Sequence, residues 1–182
     1  MIAQQVAKKY GNALFELARD KNLIDIAWDQ FNKLADYMRK DRTFIDFMSA
    51  PQIADSDKVS LMQKVFEPRL ETPFYNFVQF LARKRRIIYL PDIVGEFDLL
   101  VRQHKGIAQA VCITTVPMSD SERKLLIVEL TKKTGLKIEL EERIDPSIIG
   151  GMVVILQNQI IDGSIRYALS LLRNRLMKVK VH

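Results

Sequence analysis

The stretch from Ile144 to Leu172 carries the most closely spaced backbone signals in the chain. It reads IDPSIIGGMVVILQNQIIDGSIRYALSLL. Asp145 precedes a proline, which predicts a turn, and the pair Gly150-Gly151 can adopt positive φ or allow close backbone approach at little steric cost. The unbroken apolar run over 152–156 is typical of a strand that is buried on both faces. We therefore expect a turn followed by an interior strand.

The second half of this stretch predicts a second strand, a turn and a helix. Ile160 and Ile161 precede Asp162-Gly163-Ser164, in which a short polar side chain can accept a hydrogen bond from the first turn of the helix. The helix carries apolar residues at spacings of four and three, namely Ile165, Leu169, Leu172 and Leu176. We interpret the polar and glycine residues as architectural positions and not as site chemistry: Asp145, Gly150, Gly151, Asp162, Gly163 and Ser164.

The first 105 residues show helical spacing of apolar side chains throughout. The pattern predicts six helices joined by short links, which together describe a compact bundle. We assign the start of the fourth helix to a cap from Asp55, Ser56 or Asp57, and the start of the fifth to Thr72 followed by Pro73. The expected architecture of this part is a six-helix bundle.

The fifth helix carries more apolar surface than one core contact requires. Phe74, Phe77, Val78 and Leu81 form one stripe, while Phe80 lies off to one side of it. One explanation is that this is the central, fully buried helix of the bundle. The other is that part of the excess lines a groove for an amphipathic helix from a partner. The sequence pattern leaves both open.

A change of hydrophobic period at Ile107 predicts a domain boundary. Gly106 and Pro117 bound a run of β-branched and small residues, in place of helical spacing. A capping-box spacing from Ser119 to Glu122 starts a helix, and an alternating strand follows at 136–141. We expect two domains, 1–105 and 106–182. The fold class is mainly α, with a six-helix bundle followed by a small α+β domain.

The residue inventory argues against catalysis. The chain has one cysteine and two histidines among 182 residues, and no phosphate-binding GxxxxGK[ST] motif. The lone Cys112 is expected to act as a small apolar side chain within a strand. We expect no catalytic residues, no metal site and no cofactor. No apolar run approaches the roughly 20 residues that a membrane-spanning helix needs, so we expect no transmembrane segment.

The basic residues allow a rival interpretation. The net charge is +6, with local clusters at Arg83–Arg86 and in the tail from Arg173 to Lys180. Such clusters bind nucleic acid or anionic lipid in some proteins, and in others are solvated surfaces at helix ends. A basic helical nucleic-acid-binding module is the alternative function, and a small enzyme is a third interpretation without a candidate set of reacting groups.

Two motifs resemble one known family. The N-terminal VAKKYGNALFELA and the C-terminal DPSIIGGMVVILQNQIIDGSIRYALSLL are similar to the opening and closing motifs of the δ subunit of the rotary ATP synthase, called the oligomycin-sensitivity-conferring protein in mitochondria. The resemblance covers essentially the whole chain. One departure is Gly11, where the family more often has alanine; glycine in a helix costs up to about 1 kcal/mol relative to alanine.

The resemblance implies a stator part without catalysis. In this family the N-terminal domain binds the N-terminal helix of an α subunit of the catalytic head, between its first and fifth helices. The C-terminal domain docks to the b subunits of the peripheral stalk. The implied location is the cytoplasmic face of a bacterial inner membrane, or the equivalent organelle face, with membrane association only through the complex and no nucleic-acid partner.

The resemblance also places candidate contacts on particular helices. For the α-subunit groove these are Tyr10, Leu14, Phe77, Phe80 and Lys84. For docking to the stalk they are Arg166, Arg173 and Arg175, on the last helix and its basic tail.

Overall fold

The computed structural model describes residues 2–41, 43–157 and 159–178. The chain divides into two compact units, Met1–His104 and Lys105–His182. The described part is mainly helical, with a four-stranded sheet in the C-terminal unit. The expectation of a mainly α chain with a C-terminal α+β region is therefore confirmed.

The N-terminal unit is built from helices and a short 3-10 helix, Ile87–Tyr89, that directly precedes the last of them. The α-helices are α1 (Ile2–Asp20), α2 (Ile24–Lys40), α3 (Thr43–Ser49), α4 (Asp55–Phe66), α5 (Thr72–Arg83) and α6 (Leu90–His104). They share one hydrophobic core to which each of α1 to α6 contributes buried side chains.

Aromatic rings from three helices meet in the middle of this core. Phe31 of α2 contacts both Phe74 of α5 and Phe97 of α6 edge to face, with ring centroids 5.8 Å apart in each pair. All three side chains are fully buried. Edge-to-face pairs add to the gain from burial because the positive ring edge meets the negative ring face. The fifth helix therefore contributes to the core on its Phe74 side.

A polar network ties α2 to α6 at the edge of the core. Trp28 Nε1 donates a hydrogen bond to Asp98 Oδ1 at 2.7 Å, and Arg102 Nε donates to Asp98 Oδ2, also at 2.7 Å. The Arg102 guanidinium lies 5.5 Å from the centroid of the Trp28 ring. Asp98 and Arg102 both lie on α6, so their largely shielded ion pair orients the carboxylate, while the bond to Trp28 and the ring contact of Arg102 join α6 to α2.

The helices α1 and α6 approach each other closely at Gly11. A Cβ placed on Gly11 would lie 2.7 Å from Glu96 Cβ and 3.3 Å from the carbonyl oxygen of Ile93. Glycine is thus the residue that allows these two backbones to pack together.

Two predicted helix caps are wrong. The N-cap of α4 is Ala54, and that of α5 is Glu71, and neither makes a side-chain capping bond. Asp55 and Thr72 are instead the first helical residues. At the start of α4 the Ala54 carbonyl accepts from Asp57 N and Lys58 N. At the start of α5 the Glu71 carbonyl accepts from Phe74 N, and the Glu71 amide donates to the Gln30 side chain.

The C-terminal unit contains four strands and two helices among its described residues. They follow the order β1 (Ile107–Thr114), α7 (Asp120–Thr134), β2 (Lys137–Ile144), β3 (Met152–Leu156), β4 (Gln159–Asp162) and α8 (Ile165–Lys178), with a short 3-10 helix at Pro146–Ile148. The predicted capping box is present: Ser119 Oγ accepts from Glu122 N, and Glu122 accepts from Ser119 N.

The sheet has the strand order β2-β1-β3-β4. β1 and β2 are parallel and are joined by α7, while β1–β3 and β3–β4 are antiparallel. Cys112 of β1 is fully buried, and desolvation, followed by the nearby Glu142 carboxylate, raises the pKa of its thiol. It serves as a small apolar side chain, as predicted.

The last three elements become more exposed in the order β3, β4 and α8. Val153 and Val154 of β3 are both buried and point to opposite faces, so the prediction of an interior strand is confirmed. Ile160 of the edge strand β4 is 69% exposed. Every residue of α8 from 165 to 177 is exposed as well. The predicted apolar face of this helix exists but does not pack into the core of its unit.

Candidate functional site

The first candidate surface lies between α1 and α5. The Tyr10 and Phe80 rings have centroids 6.3 Å apart at a tilt of 58°, and Lys84 Nζ lies 5.8 Å from the centroid of the Phe80 ring. Phe80 is 45% exposed although Phe74, Val78 and Leu81 of the same helix are fully buried. The structure thus brings together three of the five residues that were predicted to line a groove.

The other two predicted groove residues lie deeper. Leu14 is fully buried in the core, so its side chain supports the surface from below and is not available to a partner. Phe77 is partly buried against the same core. We use the name α1–α5 surface for Tyr10, Phe77, Phe80 and Lys84 from here on.

The second candidate region is formed by two turns, residues 145–151 and 162–166, that pack against each other; we call them the paired turns. Each begins with an aspartate that accepts a backbone bond two residues ahead, Ser147 N to Asp145 and Ser164 N to Asp162, both at 2.9 Å. Ser164 is buried, and its Oγ accepts from Tyr167 N, which caps α8. These residues shape the backbone, as the sequence predicted.

The glycine pair is required by contacts between the paired turns. Gly151 has a φ of +75°, and a Cβ there would lie 2.3 Å from the carbonyl oxygen of Gly163. Gly150 does not use positive φ; a Cβ on it would meet the Ile165 Cδ1 at 2.7 Å. The residue before the pair, Ile149, has a φ of +70°, a conformation that is rare for a β-branched residue and that the sequence did not indicate.

The three predicted stalk-docking arginines differ in their surroundings. Arg166 Nη1 donates to Ser147 Oγ at 3.1 Å, so this side chain joins the two turns. Arg173 and Arg175 lie further along α8 and are exposed. The structure therefore separates one arginine that positions the helix from two whose charges face solvent.

Hydrogen bonds within the paired turns depress two carboxyl pKa values. The Ser147 side chain and amide hold the pKa of Asp145 below its ordinary value of 3.8, and the Ser164 side chain and amide do the same for Asp162. The positive charge of Arg166 contributes in the same direction to both pKa values.

These shifts predict an acid-sensitive C-terminal unit. A carboxyl whose pKa is lower in the folded state stabilises the fold above the unfolded-state pKa, and this contribution disappears as pH falls through the folded-state pKa. We expect protection of the 144–170 amides in hydrogen exchange to fall below about pH 4. The double variant Asp145→Asn and Asp162→Asn keeps an acceptor oxygen in each turn but should show a flatter pH dependence.

The control for this prediction is Glu129→Gln, which removes an exposed charge from α7 of the same unit. It should reproduce the wild-type pH dependence of exchange. Equal pH dependence in the wild type and the double variant would contradict the assignment of the two aspartates.

Comparison with known proteins identifies the family. The ATP synthase delta (OSCP) subunit family matches residues 6–176. The ATP synthase subunit delta of Alkaliphilus oremlandii is 31% identical over 180 residues, which cover 99% of this chain and 100% of that protein, and that of Clostridioides difficile is 30% identical over 175 residues, covering 96% and 97%. The chain belongs to the ATP synthase delta (OSCP) subunit family.

A solved structure supports the same fold. A chain of the mitochondrial ATP synthase hexamer of Toxoplasma gondii, determined by cryo-electron microscopy, superposes with a TM-score of 0.73. The match covers 96% of this chain and 98% of the other, at 17% sequence identity. At that identity the comparison speaks for the fold alone.

Membership of the delta (OSCP) family settles the class of function. The chain is a non-catalytic stator subunit of the ATP synthase, and the findings do not support the nucleic-acid-binding alternative.

Two cations of the cluster at 83–86 lie over aromatic rings, Lys84 over Phe80 and Arg86 over Tyr89. Of the basic tail predicted to reach Lys180, residues 179–180 lie outside the described residues.

None of the helices in the described ranges is both long and apolar enough to cross a membrane.

Proposed function

We propose that residues 1–105 form a six-helix bundle that binds the N-terminal helix of an α subunit of the catalytic head, and that residues 106–182 dock to the b subunits of the peripheral stalk. Membership of the family supports these two separate binding roles, because a stator must hold the head against rotation while remaining fixed to the stalk. In a bacterium this places the subunit on the cytoplasmic face of the inner membrane, attached through the complex.

The exposed ring of Phe80 beside Tyr10 is the observation that carries the head-binding half of the proposal. A phenylalanine half exposed on a helix whose Phe74, Val78 and Leu81 are buried gains free energy when a partner covers it. The neighbouring ring of Tyr10 and the partly buried Phe77 extend the apolar area, and Lys84 adds a charge at its border. An amphipathic helix laid across such a surface can bind through a few aromatic anchors.

The stator role sets the strength that this contact must reach. A joint that releases under load lets the head turn with the rotor, so proton flow no longer drives synthesis. Subnanomolar affinity corresponds to about 12 kcal/mol or more. Aromatic anchors at the centre of an interface are the side chains that most often supply a large share of such a free energy.

A single substitution tests the α1–α5 surface. Phe80→Asp replaces an apolar anchor by a charge at a position that is exposed in the free protein. We expect it to abolish capture of a synthetic peptide of the α-subunit N-terminal helix, with a loss in affinity of a hundredfold or more, equivalent to about 3 kcal/mol. Far-UV circular dichroism should be unchanged, because Phe80 is not a core residue.

The matched control is Leu99→Asp on α6, which introduces the same charge at another exposed apolar residue of this unit, 51% exposed. It should bind the α-subunit peptide as the wild type does. Wild-type affinity in Phe80→Asp, or equal loss in both variants, would contradict the α1–α5 surface as the head-binding site.

For the stalk-docking half, the proposed contacts are on α8 and include Arg166, Arg173 and Arg175. Their common feature is positive charge on a helix whose residues 165–177 are all exposed. Mixing the full-length chain with purified stalk b subunits, and asking by size-exclusion chromatography whether they migrate together, tests this half separately from the head-binding half.

A further inference from the structure

The apolar face of α8 is largely exposed among the described residues of its own unit. Its exposed residues include Leu169 at 52%, Leu172 at 54% and Leu176 at 65%. At its N-terminus the helix is held to the paired turns, through Ile165 N to the Gly150 carbonyl at 3.0 Å and through Arg166 to Ser147. The helix is thus firmly attached at one end and presents its apolar side chains to solvent over the following turns.

The spacing of these side chains is that of a coiled-coil seam. Ile165, Leu169, Leu172 and Leu176 recur at intervals of four, three and four, which places them at heptad positions d, a, d and a. The helix is 14 residues long, or about 21 Å. A facing helix of about four turns would cover the whole seam.

The charged residues that border this seam all have the same sign. In the same register, Arg166 and Arg173 occupy e positions and Arg175 occupies a g position, while the remaining g position is Ala168. The sequence of α8, IRYALSLLRNRLMK, contains no acidic residue. Because e and g side chains pair with those of the facing helix, they determine which partner is accepted.

We propose that α8 forms one strand of a two-stranded coiled coil with a helix of the peripheral stalk that carries apolar residues at a and d and acidic residues at e and g. The proposal rests on the proposed docking of the C-terminal unit to the stalk, and it specifies the chemistry of the docking segment. Pairing of α8 with α8 of a second copy would set arginine against arginine, which disfavours that occupant.

The three arginines have different roles in this arrangement. Arg166 already bonds to Ser147 and lies near the carboxylates of Asp145 and Asp162, so it holds α8 at the angle set by the paired turns. Arg173 and Arg175 remain to select the partner helix by charge.

A second apolar surface of this unit, a groove of about 580 Å³ between α7 and the sheet, is the rival location. Its floor includes Leu130, Val154 and Ile161, and its border carries Glu129, Lys132 and Lys133. This mixture of charges does not indicate one partner chemistry, whereas the border of the α8 seam does.

The test uses two synthetic 21-residue helices with leucine at a and d, one with glutamate and one with lysine at e and g. Binding to the full-length chain is followed by fluorescence anisotropy. We expect the glutamate helix to bind at least about tenfold more tightly than the lysine helix, and its affinity to fall as salt is raised.

A variant with reversed charges on α8 separates a loss of binding from a loss of folding. The double variant Arg173→Glu and Arg175→Glu should prefer the lysine helix, since a gain of binding requires a folded protein. Leu172→Asp should weaken both helices about tenfold or more. The control, Lys132→Glu with Lys133→Glu on the border of the groove, reverses the same number of charges in the same unit and should leave both affinities within about twofold.

The proposal is wrong if the glutamate helix does not bind, or if it binds and the α8 substitutions leave its affinity unchanged. It is also wrong if binding is lost only in the Lys132 and Lys133 variant, because that result would place the partner in the groove. Purified stalk b subunits separate this failure from failure of the docking proposal. If they bind the wild-type chain and the α8 variants equally, the inference is wrong and stalk docking stands. If they do not bind the wild type, stalk docking itself is wrong.

Discussion

Gly151→Ala is expected to destabilise the C-terminal unit by about 3 kcal/mol or more. Two costs combine at this position. A left-handed φ of +75° costs an alanine about 1–2 kcal/mol, and the new methyl group would lie 2.3 Å from the Gly163 carbonyl oxygen. That oxygen belongs to the backbone of the opposing turn, so the paired turns must separate to make room. Hydrogen exchange of the amides at 144–170 should rise by two orders of magnitude or more.

Gly135→Ala provides the matched control within the same unit. Gly135 ends α7 with a φ of +70°, and a Cβ on it meets nothing within 4 Å. The variant should therefore lose only the free energy of the left-handed conformation, about 1–2 kcal/mol. Equal losses for Gly151→Ala and Gly135→Ala would show that the close approach of the paired turns contributes no stability.

Gly11→Ala is expected to destabilise the N-terminal unit by up to about 2 kcal/mol, although alanine is the better helix former. The gain in helix propensity is up to about 1 kcal/mol, and the cost of forcing a methyl group against Glu96 Cβ and the α6 backbone is about 1–3 kcal/mol. Urea unfolding followed by the fluorescence of Trp28, the single tryptophan, measures this difference.

Gly95→Ala, on the facing helix, should have the opposite sign. Gly95 is in the middle of α6, and a Cβ on it has nothing within 4 Å. The variant should gain up to about 1 kcal/mol from helix propensity alone. If both substitutions stabilise the unit, the close packing of α1 on α6 is not a constraint and the glycine at position 11 has no structural reason.

Burial on α1 shows where prediction from sequence ends. Tyr10 and Leu14 lie four residues apart on the same stripe, so the pattern assigns both to one apolar face. Which of them remains accessible depends on α6, which packs against Gly11 and leaves Leu14 enclosed and Tyr10 beside Phe80. The packing of α6 against α1 depends on the backbone of α6, so the spacing of apolar residues on α1 does not predict it.

The turn that contains Ile149 shows a second limit. The glycine pair correctly indicated close backbone approach, and Asp145, Asp162 and Ser164 correctly indicated turns and a cap, because these roles depend on neighbouring residues. The sequence did not predict which residues of this turn take positive φ: Ile149 and Gly151 have φ values of +70° and +75°, whereas Gly150 lies against the Ile165 side chain without positive φ. Gly150 and Ile165 are fifteen residues apart, so a local pattern does not contain their contact.

The attachment of α8 has a mechanical consequence. A pull on this helix enters the sheet covalently through the edge strand β4, and also through the bonds from Ile165 N to the Gly150 carbonyl and from Gly163 N to the Met152 carbonyl. Those two bonds lead into the start of β3, which is paired on both sides. Tension applied to α8 is thus divided between two strands, and one of them lies inside the sheet, where five residues are paired with β1. The paired turns thus transmit part of a force on α8 to the interior strand β3, so that the edge strand β4 does not carry it alone.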